Sequence, residues 1–452
     1  MEILLLSIFV LGYLAIALEH SLKIDKLIPA LGMMALLWAI IAVTHMEVFE
    51  VDTILRKLEP HNLEGVLLHH LGKTAEILIF LMGAMTIVEI IDYFDGFSTI
   101  KSYIRTTSKS KLLWLFTTLA FILSAIIDNL TATIVLITIL QKIVKEREVR
   151  LWYTGLIVIA ANAGGAWSPI GDVTTTMLWI ANKVTASQLV IHVLIPSIVC
   201  YAIPVFIASR MDVFKGNIKS VIVEEKSKSK HSATMFYLGL GAILFVPIFK
   251  TATHLPPYVG MMLSLAVVAA FAEYFSNKAF TTGGAVSDGG HHSPVHKSLS
   301  KIEMPSILFF LGILMAVAAL ESLGMLFNFA GVLEATMPWL GTELATTKIS
   351  DLVVILLGMG SAVIDNVPLV AASIGMFSIP TDEPAWHFIA YAAGTGGSIL
   401  IIGSAAGVVA MGMEKIDFFW YFKKIGWLAF VGFAAGCVAF IILRAFLNAP
   451  VV

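Results

Sequence analysis

Apolar runs of about twenty residues follow one another along nearly the whole chain, parted by short polar stretches. Backbone N–H and C=O groups carried into hydrocarbon find no water there, so such a run must close its hydrogen bonds within itself as a helix. The expected fold class is therefore an all-α polytopic membrane protein. Full spans are expected at Ile3–Leu18, Leu27–Thr44, Ile77–Tyr93, Leu151–Asn182 (interrupted), Leu189–Ser209, Met235–Phe249, Tyr258–Phe275, Ser306–Met325, Trp386–Met413 (interrupted) and Gly426–Phe446. Only 13% of the residues are charged, against roughly 25% in soluble domains. The first run lacks a basic leader and a small-residue cleavage site, and reads as a retained span. A formal net charge of −2 gives no reason to expect nucleic acid as a partner. Cys200 and Cys437, both inside apolar runs, imply no disulfide framework.

Two further apolar stretches, Leu112–Ile143 and Leu352–Ile379, are not single spans. As one helix the first would be about 48 Å long, more than tilt absorbs. Each carries an Asp-Asn pair near its midpoint, Asp128-Asn129 and Asp365-Asn366. The flanking arms, roughly 13–16 residues each, reach only about 20–24 Å, short of the hydrocarbon thickness of about 30 Å. A re-entrant helical hairpin, its tip partway across, satisfies both lengths and leaves about ten full spans. On that topology about three quarters of the 29 Lys and Arg residues fall on one side, which the positive-inside rule makes cytoplasmic. Both termini are then expected to be periplasmic.

The sequence also repeats. Ser124-Ala-Ile-Ile-Asp128-Asn129 recurs as Ser361-Ala-Val-Ile-Asp365-Asn366, and Asn162-Ala-Gly164-Gly165 with Gly171 recurs as Gly394-Thr-Gly396-Gly397 with Gly403. An odd number of crossings separates the copies, so they are expected to be inverted, as in many secondary transporters. The chain divides into N-terminal scaffold helices (1–75), a first inverted repeat (76–209, hairpin 112–143, interrupted helix 151–182), connecting helices and cytoplasmic loops (210–304), and a second inverted repeat (305–447, hairpin 352–379, interrupted helix 386–413). Within the connection, Val223–His231 is a plain charged linker. Ser276–Lys301, with His291, His292 and His296, reads as a solvated loop; no acidic or cysteine residues share a metal-ligand spacing with its histidines.

An Asp near the bilayer midplane costs about 2.5–3.5 kcal/mol even on a lenient insertion scale. Asp128, Asp365 and Asp172 all fall there. Helix capping is the plain explanation, since a broken helix exposes N–H groups that Asp or Asn satisfies. Asn or Ser would cap equally well without an ionisable group, yet both copies use Asp beside Asn. The functional explanation adds the free carbonyls at the end of each first arm, which with carboxylate and amide oxygens suit a hard cation. The interrupted spans contribute Asn162, Ser168, Asp172, Thr174 and Thr175 in the first copy, and Thr395, Ser398 and Ser404 in the second. Gly and Pro let those segments unwind, which membrane depth tolerates where a cavity is lined. Na⁺ is expected at Asp128, Asn129, Asp172, Asp365 and Asn366. A carboxylate that holds either a proton or a cation is sufficient for antiport, if only the loaded site crosses. Because Ser404 stands where the first copy has Asp172, the site is expected nearer Asp128 than Asp365.

These residues resemble the NhaD family of sodium/proton antiporters, within a superfamily that also holds dicarboxylate, citrate and arsenite carriers. The resemblance rests on Glu76-Ile-Leu-Ile-Phe-Leu-Met-Gly-Ala-Met-Thr-Ile-Val-Glu89, on both Ile-Asp-Asn hairpins, and on Gly164–Asp172 with its following threonines. It runs from about residue 20 to residue 446. It implies exchange of Na⁺ or Li⁺ for H⁺ in a bacterial inner membrane, by an elevator movement against a scaffold in a homodimer, with no cofactor. It places Asp128, Asn129, Asn162, Asp172, Thr174, Thr175, Ser361, Asp365 and Asn366 on the ion path. Carboxylate carriers of the superfamily have Ser-Asn-Thr at the hairpin tips, so Asp here disfavours an anionic substrate.

Other residues read more plainly. Glu89 suits a snorkelling or scaffold-pairing role as well as a proton relay. His69 and His70 share a short periplasmic segment with Glu64, and Trp420, Tyr421 and Trp427 read as interface anchors. The alternative function is a sodium-coupled carrier of a dicarboxylate or arsenite. It would want a basic residue at the tips, and none neighbours either Asp-Asn pair. An enzyme is not expected, since neither a Gly-x-Gly-Asp nor a His-Glu-x-x-His motif is present.

Overall fold

The apolar runs fold as helices, described in a computed structural model for residues 1–17, 22–52, 57–101, 106–218, 231–282, 293–326, 328, 349–363, 365–377 and 379–447. The Gly-rich and His291-His292 part of the loop Ser276–Lys301, and most of Val223–His231, lie outside the described residues. In chain order the first helices are α1 (Glu2–Ala17), α2 (Leu27–Val43), α3 (Leu63–Tyr93) and the short α4 (Ser98–Lys101). Next come α5 (Lys109–Ile127), α6 (Asn129–Ile143), α7 (Arg147–Ala166), α8 (Val173–Ile180) and α9 (Ala186–Ser209). The connection holds α10 (Ser232–Thr253), α11 (Pro257–Thr282) and α12 (Pro294–Leu299). The second half consists of α13 (Met304–Ser322), α14 (Asp351–Gly360), α15 (Asn366–Met376), α16 (Pro384–Gly396), α17 (Ala405–Glu414), α18 (Phe418–Tyr421) and α19 (Trp427–Leu447). Seven helical segments among the described residues are long and apolar enough to cross a membrane, so the chain is a polytopic, mostly helical membrane protein.

The expectation of an all-α fold needs one correction. Val48–Asp52 and Lys57–His61 pair as antiparallel strands β1 and β2, with Val48 opposite His61 and Asp52 opposite Lys57. Their five residues are too short and too polar to register against runs of membrane length. α3 also begins well before the expected Ile77. Asn62 caps it by accepting from the Gly65 N–H at 2.6 Å, and no proline intervenes, so 31 residues run as one helix. His69 and His70 therefore belong to that helix, and His69 Nε2 lies 3.2 Å from Glu50 Oε1 on β1. The first hairpin arm is longer than expected too: α5 starts at Lys109 and has 19 residues, or about 28 Å.

Where a helix breaks, its neighbours come close. An ideal Cβ on Gly164 would lie 2.2 Å from the Phe121 carbonyl oxygen, and one on Gly396 would lie 1.9 Å from that of Gly358. Beside these contacts, Ser124 Oγ donates to the Ala161 carbonyl at 2.5 Å and Ser361 Oγ donates to that of Ala393 at 2.8 Å. The same contacts thus recur at matching positions of the two copies of the motif. The two hairpins differ in how they are held. Both first arms pack mainly on an interrupted helix, α5 on α7 and α14 on α16. But α5 and α6 also pack closely on each other, whereas α14 and α15 barely touch and α15 packs on α13 and α8.

The core divides into two main clusters. One unites both hairpins with α7, α9, α16 and α19; the other joins α1, α2, β1 and the start of α3 to one side of α13. At the far end of the first cluster, Arg150 Nε donates to both carboxylate oxygens of buried Glu414, at 2.7 and 2.8 Å, and Gln141 Nε2 adds a third bond at 3.0 Å. α17 is thereby pinned to α6 and α7. Glu89 lies 3.9 Å from Lys301, consistent with a pairing role for it.

Gly396→Ala is expected to lower the apparent melting temperature of the detergent-solubilised protein, losing about 3 kcal/mol or more by overpacking against backbone. Gly32→Ala, with nothing within 4 Å of the added carbon, is expected to be neutral or to gain about 0.5–1 kcal/mol.

Candidate functional site

Four chain breaks deliver the candidate residues. At the first tip Asp128 ends α5 and caps α6: its carboxylate accepts from the Thr131 N–H at 2.8 Å and from the Thr131 hydroxyl at 2.9 Å. Its backbone sits at φ +80°, ψ 156°, a region essentially reserved for glycine and costing about 1–3 kcal/mol elsewhere. The turn is thereby tight enough to swing Asn129 inward. Asp172 caps α8 in the same manner, its Oδ1 accepting from the Thr174 N–H at 2.9 Å and hydroxyl at 2.8 Å. At the matching position Ser404 caps α17, accepting from the Gly407 N–H at 3.2 Å.

From these caps a single buried network grows. Asn129 Nδ2 donates to Asp172 Oδ2 at 2.6 Å and to Asn162 Oδ1 at 3.0 Å. Asn366 Nδ2, from the second tip, donates to Asp172 at 3.4 Å (Oδ2) and 3.5 Å (Oδ1). Asn162 Nδ2 donates to Ser398 Oγ and Ser404 Oγ, each at 2.9 Å. Asn162 is fully buried and Asp172 is 2% exposed. One carboxylate therefore receives amides from both tips, and one asparagine joins the two interrupted helices. The gathering centres on Asp172 rather than on either hairpin aspartate.

Other expected residues lie beside this network. The Thr175 hydroxyl donates to the Asp172 carbonyl at 2.9 Å, and the Thr395 hydroxyl to that of Tyr391 at 2.7 Å, both local backbone bonds. Ser168 Oγ accepts from the Ile170 N–H at 3.4 Å within the break, and Ser361 secures its hairpin to α16 as described.

Two residues take places the sequence reading did not give them. Lys26, just ahead of α2, sets its Nζ 3.3 Å from Asp365 Oδ2 and 4.4 Å from the centroid of the Phe309 ring. A basic residue thus does reach a tip, contrary to expectation, because the N-terminal cluster folds against the second hairpin far along the sequence. Tyr421, expected at the interface, is fully buried, and its hydroxyl donates to the Ser398 carbonyl at 2.8 Å. A π turn, Phe422–Gly426, follows it directly. A partly open cavity is lined by Lys26, Asp128, Asn129 and Asp172 together with apolar residues of α3, α10, α11 and α13.

Buried carboxylate and amide groups at the meeting of four helix breaks, beside a cavity in a multi-spanning chain, suit a membrane transporter. A family model described as Citrate transporter matches residues 13–386, and the chain belongs to that family. "Sodium/proton antiporter 1" of Arabidopsis thaliana is 41% identical over 442 residues, covering 96% of this chain and 71% of the relative. "Sodium/proton antiporter 2" of the same plant is 36% identical over 447 residues, covering 97% and 99%. "Na(+)/H(+) antiporter NhaD" of Vibrio parahaemolyticus is 32% identical over 425 residues, covering 88% and 95%. The resemblance to NhaD read from the motifs thus extends over most of the chain.

Asn162→Ala strands the hydroxyls of Ser398 and Ser404 and removes an acceptor from Asn129. It is expected to cost about 1–3 kcal/mol, read as a lower apparent melting temperature in detergent.

Proposed function

We propose that this protein is a secondary active transporter that exchanges Na⁺ or Li⁺ for H⁺, with its cation site at Asp172. The observation that carries the reading is the buried Asp172 carboxylate, which receives Asn129 from one hairpin tip and Asn366 from the other. An amide is a neutral group that offers donors to an unfilled carboxylate and, after half a turn, an oxygen to a cation. Asn129, Asn162 and Asn366, with the hydroxyls of Ser398 and Ser404, thus supply a switchable oxygen shell around one carboxylate. Oxygen-only ligands suit a hard monovalent ion. A proton on the same carboxylate competes with that ion, and the competition couples the two fluxes. The relatives' printed names, sodium/proton antiporters from a plant and a bacterium, support the choice of ions.

The rest of the reading follows from the repeated motif. The two copies, each hairpin plus interrupted helix, form inverted repeats. They move as an elevator against a scaffold built on the N-terminal helices, in a homodimer embedded in lipid. The Lys- and Arg-rich side faces the cytoplasm of a bacterial inner membrane, with the termini on the periplasmic side. Asp128 and Asp365 flank the site as the second and third carboxylates. A sodium-coupled carrier of a dicarboxylate or arsenite is the second reading, favoured by the family description and by Lys26 in the cavity wall. Against it, that ammonium already lies on Asp365.

Dye-monitored pH change in everted vesicles decides between the readings. NaCl and LiCl are expected to dissipate the gradient and KCl to leave it; a response to succinate alone overturns the cation reading. Asp172→Asn is expected to raise the half-saturating Na⁺ concentration by about tenfold or more, the loss of about 1.4 kcal/mol of binding.

A further inference from the structure

Lys26 is not part of the hydrogen-bonded network, yet it faces the same cavity. Its ammonium lies 3.3 Å from Asp365 and rests on the face of Phe309. The side chains of Lys26 and Asp365 are 21% and 12% exposed, so the pair is largely withdrawn from solvent and weakly screened. Phe309 belongs to the cluster that joins α1, α2 and α13, and Lys26 immediately precedes α2, whereas Asp365 immediately precedes α15 at the second tip. The charged groups lining the cavity are Asp128, Asp172 and Lys26 itself. A cation entering there meets two carboxylates in the wall, and behind the Lys26 ammonium lies a third, Asp365, whose charge that ammonium offsets.

We propose that Lys26 is a tethered cation that competes with the transported one, setting the affinity of the site by neutralising Asp365 when no ion is bound. The idea rests on the cation-exchange reading and goes beyond it, since Lys26 is neither an ion ligand nor a proton carrier in it. An incoming Na⁺ must share the cavity with a fixed positive charge or displace it from Asp365. Either way the ammonium raises the ion concentration needed for half-occupancy. Weak binding of this kind lets the ion leave on the far side. The ring of Phe309 provides the ammonium with a second place to rest once Asp365 turns to the ion.

The test is a Na⁺ titration of vesicle antiport at fixed pH. Lys26→Gln is expected to lower the half-saturating Na⁺ concentration by about threefold or more, with Lys26→Arg between the variant and the unaltered protein. Neutralising an exposed lysine elsewhere, Lys215→Gln, leaves it unchanged. An unchanged or higher value in Lys26→Gln overturns the proposal. If the lone Asp365 charge prevents that variant from folding, Lys26→Gln/Asp365→Asn leaves neither charge unpaired. It is then expected to bind Na⁺ about threefold more tightly than Asp365→Asn alone, and equal or weaker binding overturns the proposal. Failure of the unaltered protein to respond to Na⁺ would instead sink the cation-exchange reading, so the two failures are distinct.

Discussion

A helix interrupted inside a bilayer leaves N–H groups that neither water nor lipid can satisfy, and at three of the four breaks of this chain a side chain takes them on. Asp128, Asp172 and Ser404 each accept from the first turn of the helix that follows. Capping alone would explain their presence. At Asp172, however, the carboxylate has a second oxygen left over, and that oxygen accepts the amide of Asn129. The cap and the site are therefore one group, and the breaks are held in mutual register by the residue that stabilises one of them. Each hairpin tip is consequently positioned by what its asparagine reaches, not only by its own arms.

Much of this was legible in the sequence. The lengths of the apolar runs gave the helices, and the paired Asp-Asn motifs located two breaks where α5 meets α6 and α14 leads to α15. The glycine pairs located the other two, because only glycine lets α7 pass so near α5, and α16 so near α14. What periodicity and hydropathy could not carry was contact between distant parts of the chain. Lys26 looks like one more flanking basic residue, since nothing near it in sequence points to Asp365. Tyr421 fits an interface anchor by its neighbours, and composition encodes neither its burial nor the π turn that follows it. Glu414 gave no signal either; its partners Gln141 and Arg150 lie in the other half of the chain.

The two halves share a plan and differ in chemistry. Their serine–carbonyl and glycine–carbonyl contacts match, yet one interrupted helix is capped by Asp172 and the other by Ser404. The matching contacts set the breaks close together, and Asp172, which the second copy replaces by Ser404, brings a carboxylate to the point where the two tips' asparagines meet. The hairpins diverge as well: both first arms lean on an interrupted helix, but the first hairpin's arms also pack closely on each other, whereas α15 packs on α13 and α8. α3 and α13 contribute to both hydrophobic clusters, and the second tip, through α15, packs on α13.

The π turn ahead of the last long helix has a further consequence. Its wider winding accommodates one residue more than a regular turn would. Rewinding it to ordinary α geometry would rotate everything before it by about 100° about the helix axis, drawing the Tyr421 hydroxyl off the Ser398 carbonyl. Ser398 in turn accepts from Asn162 at the heart of the network. The angular setting of a helix end remote in sequence is thus transmitted through two side chains to the central asparagine, like a dial geared to the centre of the molecule.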